Sequence, residues 1–298
     1  MLIQRFERHN NNFDLKAKEK HDFKADKKRN TTSTIKAIAL ITMTFDHIPA
    51  VILEPLMAYK SAVLPTGISY VINAFEIIFR FLGRIAFPLF LFMMVEGFFF
   101  THDRKKYALR LLLFALISEP IFDLAVSYTG LGIDGLHIWD PKIQNIYFTL
   151  LLGFLSICCI HILLDKFEER GISPLDIKIK DRRMQSLKPI LVIIAISLIA
   201  SLIAFFIKCD YSFRGVLPLI TGYLFHRYKA TAKQVFLAIL ITICIFNFLE
   251  LVGFLTLPFI QTYKGKPGRK LNKWFFYIYY PAHLGVLCLI RLLLSRII

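Results

Sequence analysis

Long apolar runs separated by short polar connections dominate the chain after residue 34. They fall near 35–53, 84–101, 107–127, 143–164, 189–207, 215–226, 234–248, 250–262 and 274–294, which gives nine candidate helical spans. A straight span needs roughly 20 apolar residues, so 215–226 and 250–262 are short and are expected to be broken or re-entrant. The segment 66–83 (TGISYVINAFEIIFRFLG) is apolar enough to form a tenth span or an interfacial helix. The pattern therefore predicts an all-α, polytopic membrane protein with nine to ten transmembrane helices, several of them broken or short. With no internal repeat and no loop long enough for a soluble domain, residues 34–298 read as a single transmembrane domain. Residues 1–33 are polar, carry nine Lys/Arg and contain no apolar core of a signal peptide. They are expected to be a disordered cytoplasmic tail.

Composition agrees with lipid as the solvent of the fold. Of the 298 residues 56% are hydrophobic, 29 are Phe, and the mean hydropathy is +0.57. The net charge of +16 would suggest nucleic acid if the bases were clustered, but they are spread between apolar runs and report on topology instead. With the tail inside, the connections 1–36, 102–106, 165–188, 226–233 and 264–273 hold 28 of the 37 Lys/Arg, whereas 54–67, 128–142 and 208–214 hold four. That imbalance predicts a cytoplasmic N-terminus, with loop 165–188 inside and loop 128–142 outside. Nucleic acid is not an expected partner; the lipid bilayer is. The five cysteines, Cys158, Cys159, Cys209, Cys244 and Cys288, form no C-x-x-C pair and have no nearby His cluster, so neither a metal site nor a disulfide framework is expected.

A charge near the bilayer centre costs at least ~2.5–3.5 kcal/mol, so an ionisable residue inside a span is a functional candidate. Lys36, Asp46 and His47 lie in STIKAIALITMTFDHIPAVI, with His47 eleven residues, or about 16 Å of helix, beyond Lys36. Neighbours on a helix point about 100° apart, so Asp46 is not expected to orient His47 directly. Pro49 cannot donate to the carbonyl of Phe45, which predicts a kinked or opened helix beside the pair. Arg84 and Glu96 flank Pro88 in GRIAFPLFLFMMVEGFFF, about 18 Å apart along the axis, too far to pair with each other. Glu119 with Asp123, Asp210 with Arg214, and His283 complete the set. The first of these pairs reads as the outer end of a span, and Asp210 with Arg214 as a structural pair or cap at the outer surface. The aromatic clusters Phe98–Phe100 and Tyr277–Tyr280 read as packing and interfacial belt.

Five runs carry a family resemblance: Lys36 to His47 (KAIALITMTFDH), Gly83 to Phe90 (GRIAFPLF), Asn145 to Gly153 (NIYFTLLLG), Asp210 to Leu217 (DYSFRGVL) and Tyr280 to Leu284 (YPAHL). In this order they resemble the TraX family, named for the conjugative F-pilin acetylase, over most of 34–295. The tail and loop 165–188 fall outside the pattern. The Lys-x10-His spacing is also similar to the Arg/Lys-x10-His motif of the wider membrane acyltransferase superfamily, whose members use cytosolic acyl-CoA and a histidine. The resemblance implies transfer of acetyl from acetyl-CoA in a bacterial plasma membrane. The acceptor it implies is an amino or hydroxyl group on a surface glycan, a peptide or a pilin N-terminus.

That chemistry needs a base to remove the acceptor's proton, and a neutral His suits it. His47 is the expected base, with Asp46 or Glu96 to hold its opposite nitrogen if the fold brings either close, Arg84 toward the acceptor or a developing oxyanion, and His283 in the same cavity. Direct attack and an acyl-His intermediate both remain open. For the phosphates of CoA, Lys36, Arg104, Lys105 and Lys106 stand at the inner ends of the first three spans. No Gly-rich phosphate loop is present, and no metal is called for. Broken helices with buried charges also describe a transporter or flippase, the alternative reading.

Overall fold

The computed structural model describes residues 30–60, 65–127, 140, 142–172, 183–263, 265–266, 268–269 and 272–297. The proposed tail up to residue 29 and most of loops 128–142 and 173–182 lie outside them. The helices are α1 (Thr32–Ile48), α2 (Glu54–Lys60), α3 (Thr66–Gly83), α4 (Ala86–Phe100), α5 (Arg104–Phe122), α6 (Ile146–Glu169), α7 (Arg183–Phe206), α8 (Phe213–Arg227), α9 (Ala232–Phe246), α10 (Leu257–Gln261) and α11 (Lys273–Ile297). A 3-10 segment, Phe248–Thr256, joins α9 to α10. Among the described residues there is no β-strand, and five stretches are long and apolar enough to cross a membrane: 32–58, 66–100, 146–169, 187–206 and 274–296.

Each expected apolar segment falls on helix, but 66–83 is neither a separate span nor an isolated interfacial helix. Arg84 N–H still donates to the Arg80 carbonyl and Ile85 N–H to that of Leu82, both at 3.3 Å, so α3 runs on into α4 with little interruption. The joined 35 residues measure about 52 Å at 1.5 Å per residue, well beyond the ~30 Å hydrocarbon core.

Prolines decide where the long helices open. Pro49, which has no N–H to give Phe45, is followed by a π turn over Pro49–Leu53 in which Glu54 N–H reaches back five residues to the Pro49 carbonyl. The expected opening beside His47 is thus a π turn. A second π turn, Asp123–Ser127, follows Pro120 at the end of α5, and the side chain of the fully buried Arg291 donates to its carbonyls at Leu124 and Ala125. In α11, Pro281 leaves the Tyr277 carbonyl without its helical donor, and the Tyr147 hydroxyl of α6 donates to it at 3.0 Å. Lipid offers no water for such groups, so each freed carbonyl calls for a side-chain donor.

Helix α4 is apolar on all sides and is the centre of the bundle. Ten of its fifteen residues are buried, as expected of a helix with no polar face. By contrast α7 exposes Leu191, Leu198, Leu202 and Phe206 along its length and presents them to lipid. Contacts at one end of the bundle gather the basic connections together. Thr32 N–H donates to Lys266 O and Arg269 N–H to Ser33 Oγ, Tyr263 joins Thr32 to Glu96, and Arg227 pairs with Asp165 and Glu168. This is the basic end.

The closest helix crossing lies beside the candidate residues. A Cβ built on Gly83 would meet Asp46 Cβ at 2.4 Å and Asp46 Cα at 2.7 Å, so only glycine lets α3 lie this close to α1. Gly83→Ala therefore has to push the two backbones apart, and the expected loss is about 1–3 kcal/mol of stability. Gly67→Ala, with open space around the added methyl, is the control and should unfold with the wild type. Thermal unfolding in detergent checks both.

Candidate active site

The turn of α1 just before Pro49 carries Asp46 and His47, and α11 brings His283 to them across 236 residues of sequence. His283 Nε2 lies 3.0 Å from His47 Nδ1, and His283 Nδ1 lies 2.8 Å from the backbone oxygen of Tyr279. A carbonyl can only accept, so His283 Nδ1 carries the hydrogen. In the neutral ring its Nε2 is then an acceptor, and His47 Nδ1 must be the donor. With the Nδ1 hydrogen so placed, the lone pair of neutral His47 falls on Nε2; the Met43 carbonyl one turn back also lies in hydrogen-bond reach of this ring. Neither acid expected to hold the opposite nitrogen does so; a second histidine fills that place.

His47 lines a chamber of about 100 Å³ with Asp46, Gly83, Phe87, Asp210 and Tyr211. A wider vestibule of about 320 Å³, lined by Lys36, Thr101, Tyr107 and Arg110 among others, lies toward the basic end. The two cavities share Phe90, Tyr147, Leu150 and Phe276 in their walls. The two cavities are thus adjacent, and Lys36, whose ammonium sits 4.4 Å over the Phe276 ring, stands on the vestibule side of the wall they share.

The acids near the chamber are held in different ways. Asp46 Oδ1 pairs with Arg80 Nη1 at 3.3 Å, and Arg80 also holds Glu54 and donates to the Asp46 carbonyl at 3.2 Å. Arg84 Nη1 meets the fully buried Glu250 at 3.4 Å. Asp210 was expected at the outer surface with Arg214, but it faces the chamber, while Arg214 lies over the ring of Phe213. The turn that puts it there is strained: Lys208, Tyr211 and Ser212 all have φ between +48° and +58°, each costing on the order of 1–3 kcal/mol. The strain is held by bonds from Gln144 N–H to Lys208 O, Asp210 N–H to Gln144 O and Thr149 Oγ1 to Asp210 O. Tyr211 stacks on Phe87 with ring centroids 3.7 Å apart.

Other expected site residues lie elsewhere. Glu96 is near the basic end, where it accepts from Tyr263 Oη at 3.0 Å and contacts His226 Nε2 at 3.2 Å; about ten residues, or 15 Å, of α4 separate it from the chamber wall at Ala86. Arg104 packs over Phe98 at 4.2 Å. Lys105 and Lys106 are exposed, and Lys106 bonds Asp103, whose carboxylate is held below its usual range first by the Lys106 backbone N–H. Glu119 accepts from the Asn145 amide groups and Asp123 from Asp140 N–H, which ties the end of α5 to the start of α6. Arg80, Arg110, Asp210, Tyr211 and Tyr280 were not expected in a site; a proline-opened turn and a polar run beside it were the available signals. Among the described residues no three of His, Cys, Asp or Glu come together as a metal site.

A partly buried histidine pair on the wall of a chamber between helices is the candidate site of this polytopic helical membrane protein. The TraX family, described as TraX protein, matches residues 31–291, and the chain belongs to that family. It is 25% identical over 279 residues to the probable fimbrial assembly protein FimC, serogroup H1, of Dichelobacter nodosus, covering 88% of this chain and 96% of that protein. No solved structure matches.

The hydrogen-bond polarity of the pair is directly testable. Long-range 15N–1H spectra of histidine-labelled protein in detergent should show Nδ1–H tautomers for both His47 and His283, and His47→Gln should remove one of the two signals. An Nε2–H tautomer at His47 would reverse the polarity and take the lone pair away from the open nitrogen.

Proposed function

We propose that this protein is an integral membrane acetyltransferase. It moves acetyl from acetyl-CoA to an amino or hydroxyl group of an envelope acceptor, with His47 as general base. The observation that carries this reading is the His47–His283 pair on the wall of a chamber that adjoins a basic vestibule. Family membership supports it, and the similarity to a probable fimbrial assembly protein of Dichelobacter nodosus is the reason to keep a fimbrial peptide among the proposed acceptors, beside surface glycans. In this reading the basic end faces the cytoplasm of a bacterial plasma membrane, so acetyl-CoA arrives through the vestibule.

The nucleophile's lone pair attacks the thioester carbonyl carbon, and His47 Nε2 takes the proton that the nucleophile loses. The tetrahedral intermediate collapses, the C–S bond breaks, and the thiolate leaves with that proton as free CoA. Burial of the chamber keeps water, a competing nucleophile, from the thioester. His283 is a positioning residue: it fixes the tautomer of His47 and touches no reacting atom. Lys36 and Arg110, which line the vestibule, are assigned the phosphates, with Arg104, Lys105 and Lys106 further out.

Radiolabelled acetyl-CoA supplied to source-cell membranes tests the reading. His47→Gln should still bind acetyl-CoA but transfer acetyl at least ~100-fold more slowly. His283→Ala should also be slow, with partial rescue in His283→Gln, whose amide oxygen can accept from His47 Nδ1. Label that crosses the bilayer without becoming covalently attached would instead establish the transporter. For the vestibule, Lys36→Glu with Arg110→Glu should weaken acetyl-CoA binding by calorimetry at least tenfold, and Lys105→Glu with Lys106→Glu should change it much less.

A further inference from the structure

Tyr280 is buried, lines the chamber and sits with its ring 6.0 Å from that of His47 and 5.8 Å from that of His283. Among the described residues no group in hydrogen-bond geometry takes the hydrogen of its hydroxyl. The Ile146 backbone N–H, in the first turn of α6, lies toward the phenol oxygen, but an amide only donates. The phenol's own hydrogen therefore still lacks an acceptor. A buried donor without a partner is costly, and this one belongs to a ring that lines the same chamber as His47. Its neighbour Tyr147, by contrast, gives its hydroxyl hydrogen to the Tyr277 backbone carbonyl, so the orphan belongs to Tyr280 and not to the aromatic cluster.

We propose that the Tyr280 hydroxyl is the oxyanion donor of the reaction, a catalytic residue that touches the thioester carbonyl oxygen. The assignment rests on the acetyltransferase reading above. When the acceptor's lone pair forms the new bond to the carbonyl carbon, the C=O π electrons move onto oxygen, and Tyr280 O–H donates to the oxyanion. His47 Nε2 holds the proton lost by the acceptor. As the C=O bond re-forms, the C–S pair leaves on sulfur, the thiolate takes the proton from His47, and Tyr280 keeps its own hydrogen throughout. The start of α6 strengthens the site. Ile146 also lines the chamber, and the positive end of a 24-residue helix faces the place where negative charge develops.

Tyr280→Phe in the full chain tests this, because it removes the hydroxyl and keeps the ring. The expected result is a melting temperature no lower than wild type, a calorimetric acetyl-CoA affinity within about twofold, and single-turnover transfer of radiolabelled acetyl to source membranes slowed about 100- to 1,000-fold. Infrared difference spectra with acetyl-CoA carrying 13C at the carbonyl give a readout without turnover: the bound thioester stretch should lie lower in wild type than in Tyr280→Phe. Transfer by Tyr280→Phe within threefold of an active wild type, or an unchanged carbonyl stretch, overturns the assignment while leaving the acetyltransferase intact. A marked drop in melting temperature also overturns it, since the hydroxyl would then serve the fold. A wild type that transfers no acetyl overturns both.

Discussion

A carbonyl oxygen in hydrocarbon has to find a donor inside the protein, and every proline in a spanning helix takes one donor away. In this chain the replacements build the site. Pro281 frees the Tyr277 carbonyl, which accepts from Tyr147, and this one bond ties α6 to α11 less than two turns from His283. Tyr147 then stands in the wall shared by chamber and vestibule. Pro49 opens α1 just past His47, and Arg80 reaches the Asp46 carbonyl there while its guanidinium holds Asp46 and Glu54. On the far side of α11, Arg291 does the same for the π turn after Pro120. The helices cannot slide past one another without leaving a polar group unpaired in lipid, and such constraints are what a chamber needs to keep its shape.

The histidine pair depends on that rigidity. A chain of two neutral imidazoles has a direction only if one end is fixed, and the Tyr279 carbonyl fixes it by being unable to donate. The nearest carboxylate, Asp46, is turned toward Arg80, so it competes for neither ring nitrogen. Across the chamber, the 207–212 turn holds three non-glycine residues in the left-handed region. Backbone strain of this kind persists where surrounding bonds over-determine it, and the bonds from Gln144 and Thr149 do so. What the strain secures is the placement of Asp210 and Tyr211 in the wall facing His47.

Much of the fold was legible in the sequence because lipid imposes a simple rule on run length and polarity. The apolar segments, the opening after His47 and the candidacy of His47, His283 and Lys36 all follow from local pattern. The partnerships do not, because they join residues far apart on different helices. That His283 and not an acid meets His47 depends on how α11 packs on α1, which no periodicity encodes. Asp210 was misplaced for a local reason: positive φ is ordinarily signalled by glycine, and CDYS contains none. Tyr280 was read as one more aromatic in a belt, since only the fold distinguishes it from Tyr277, whose carbonyl, and not its hydroxyl, proved structural. Glu96 looked equivalent to Arg84 by burial, yet α4 carries it to the basic end, to His226 and Tyr263.

The charges around the chamber bear on how a proton is held there. Glu250 has Arg84 and Asp46 has Arg80. Asp210 accepts the Tyr211 N–H, and among the described residues no basic side chain pairs with it. In the proposed transfer His47 becomes a cation for as long as it carries the acceptor's proton, and a lone cation in a dry chamber would be expensive. Two carboxylates, one already neutralised and one not, share the chamber with it. In that proposal Asp210, which has no ion pair among the described residues, faces the transient imidazolium, and the phenol and the start of α6 face the transient oxyanion. On this proposal positive and negative charge develop together, each toward a polar group already in the chamber wall.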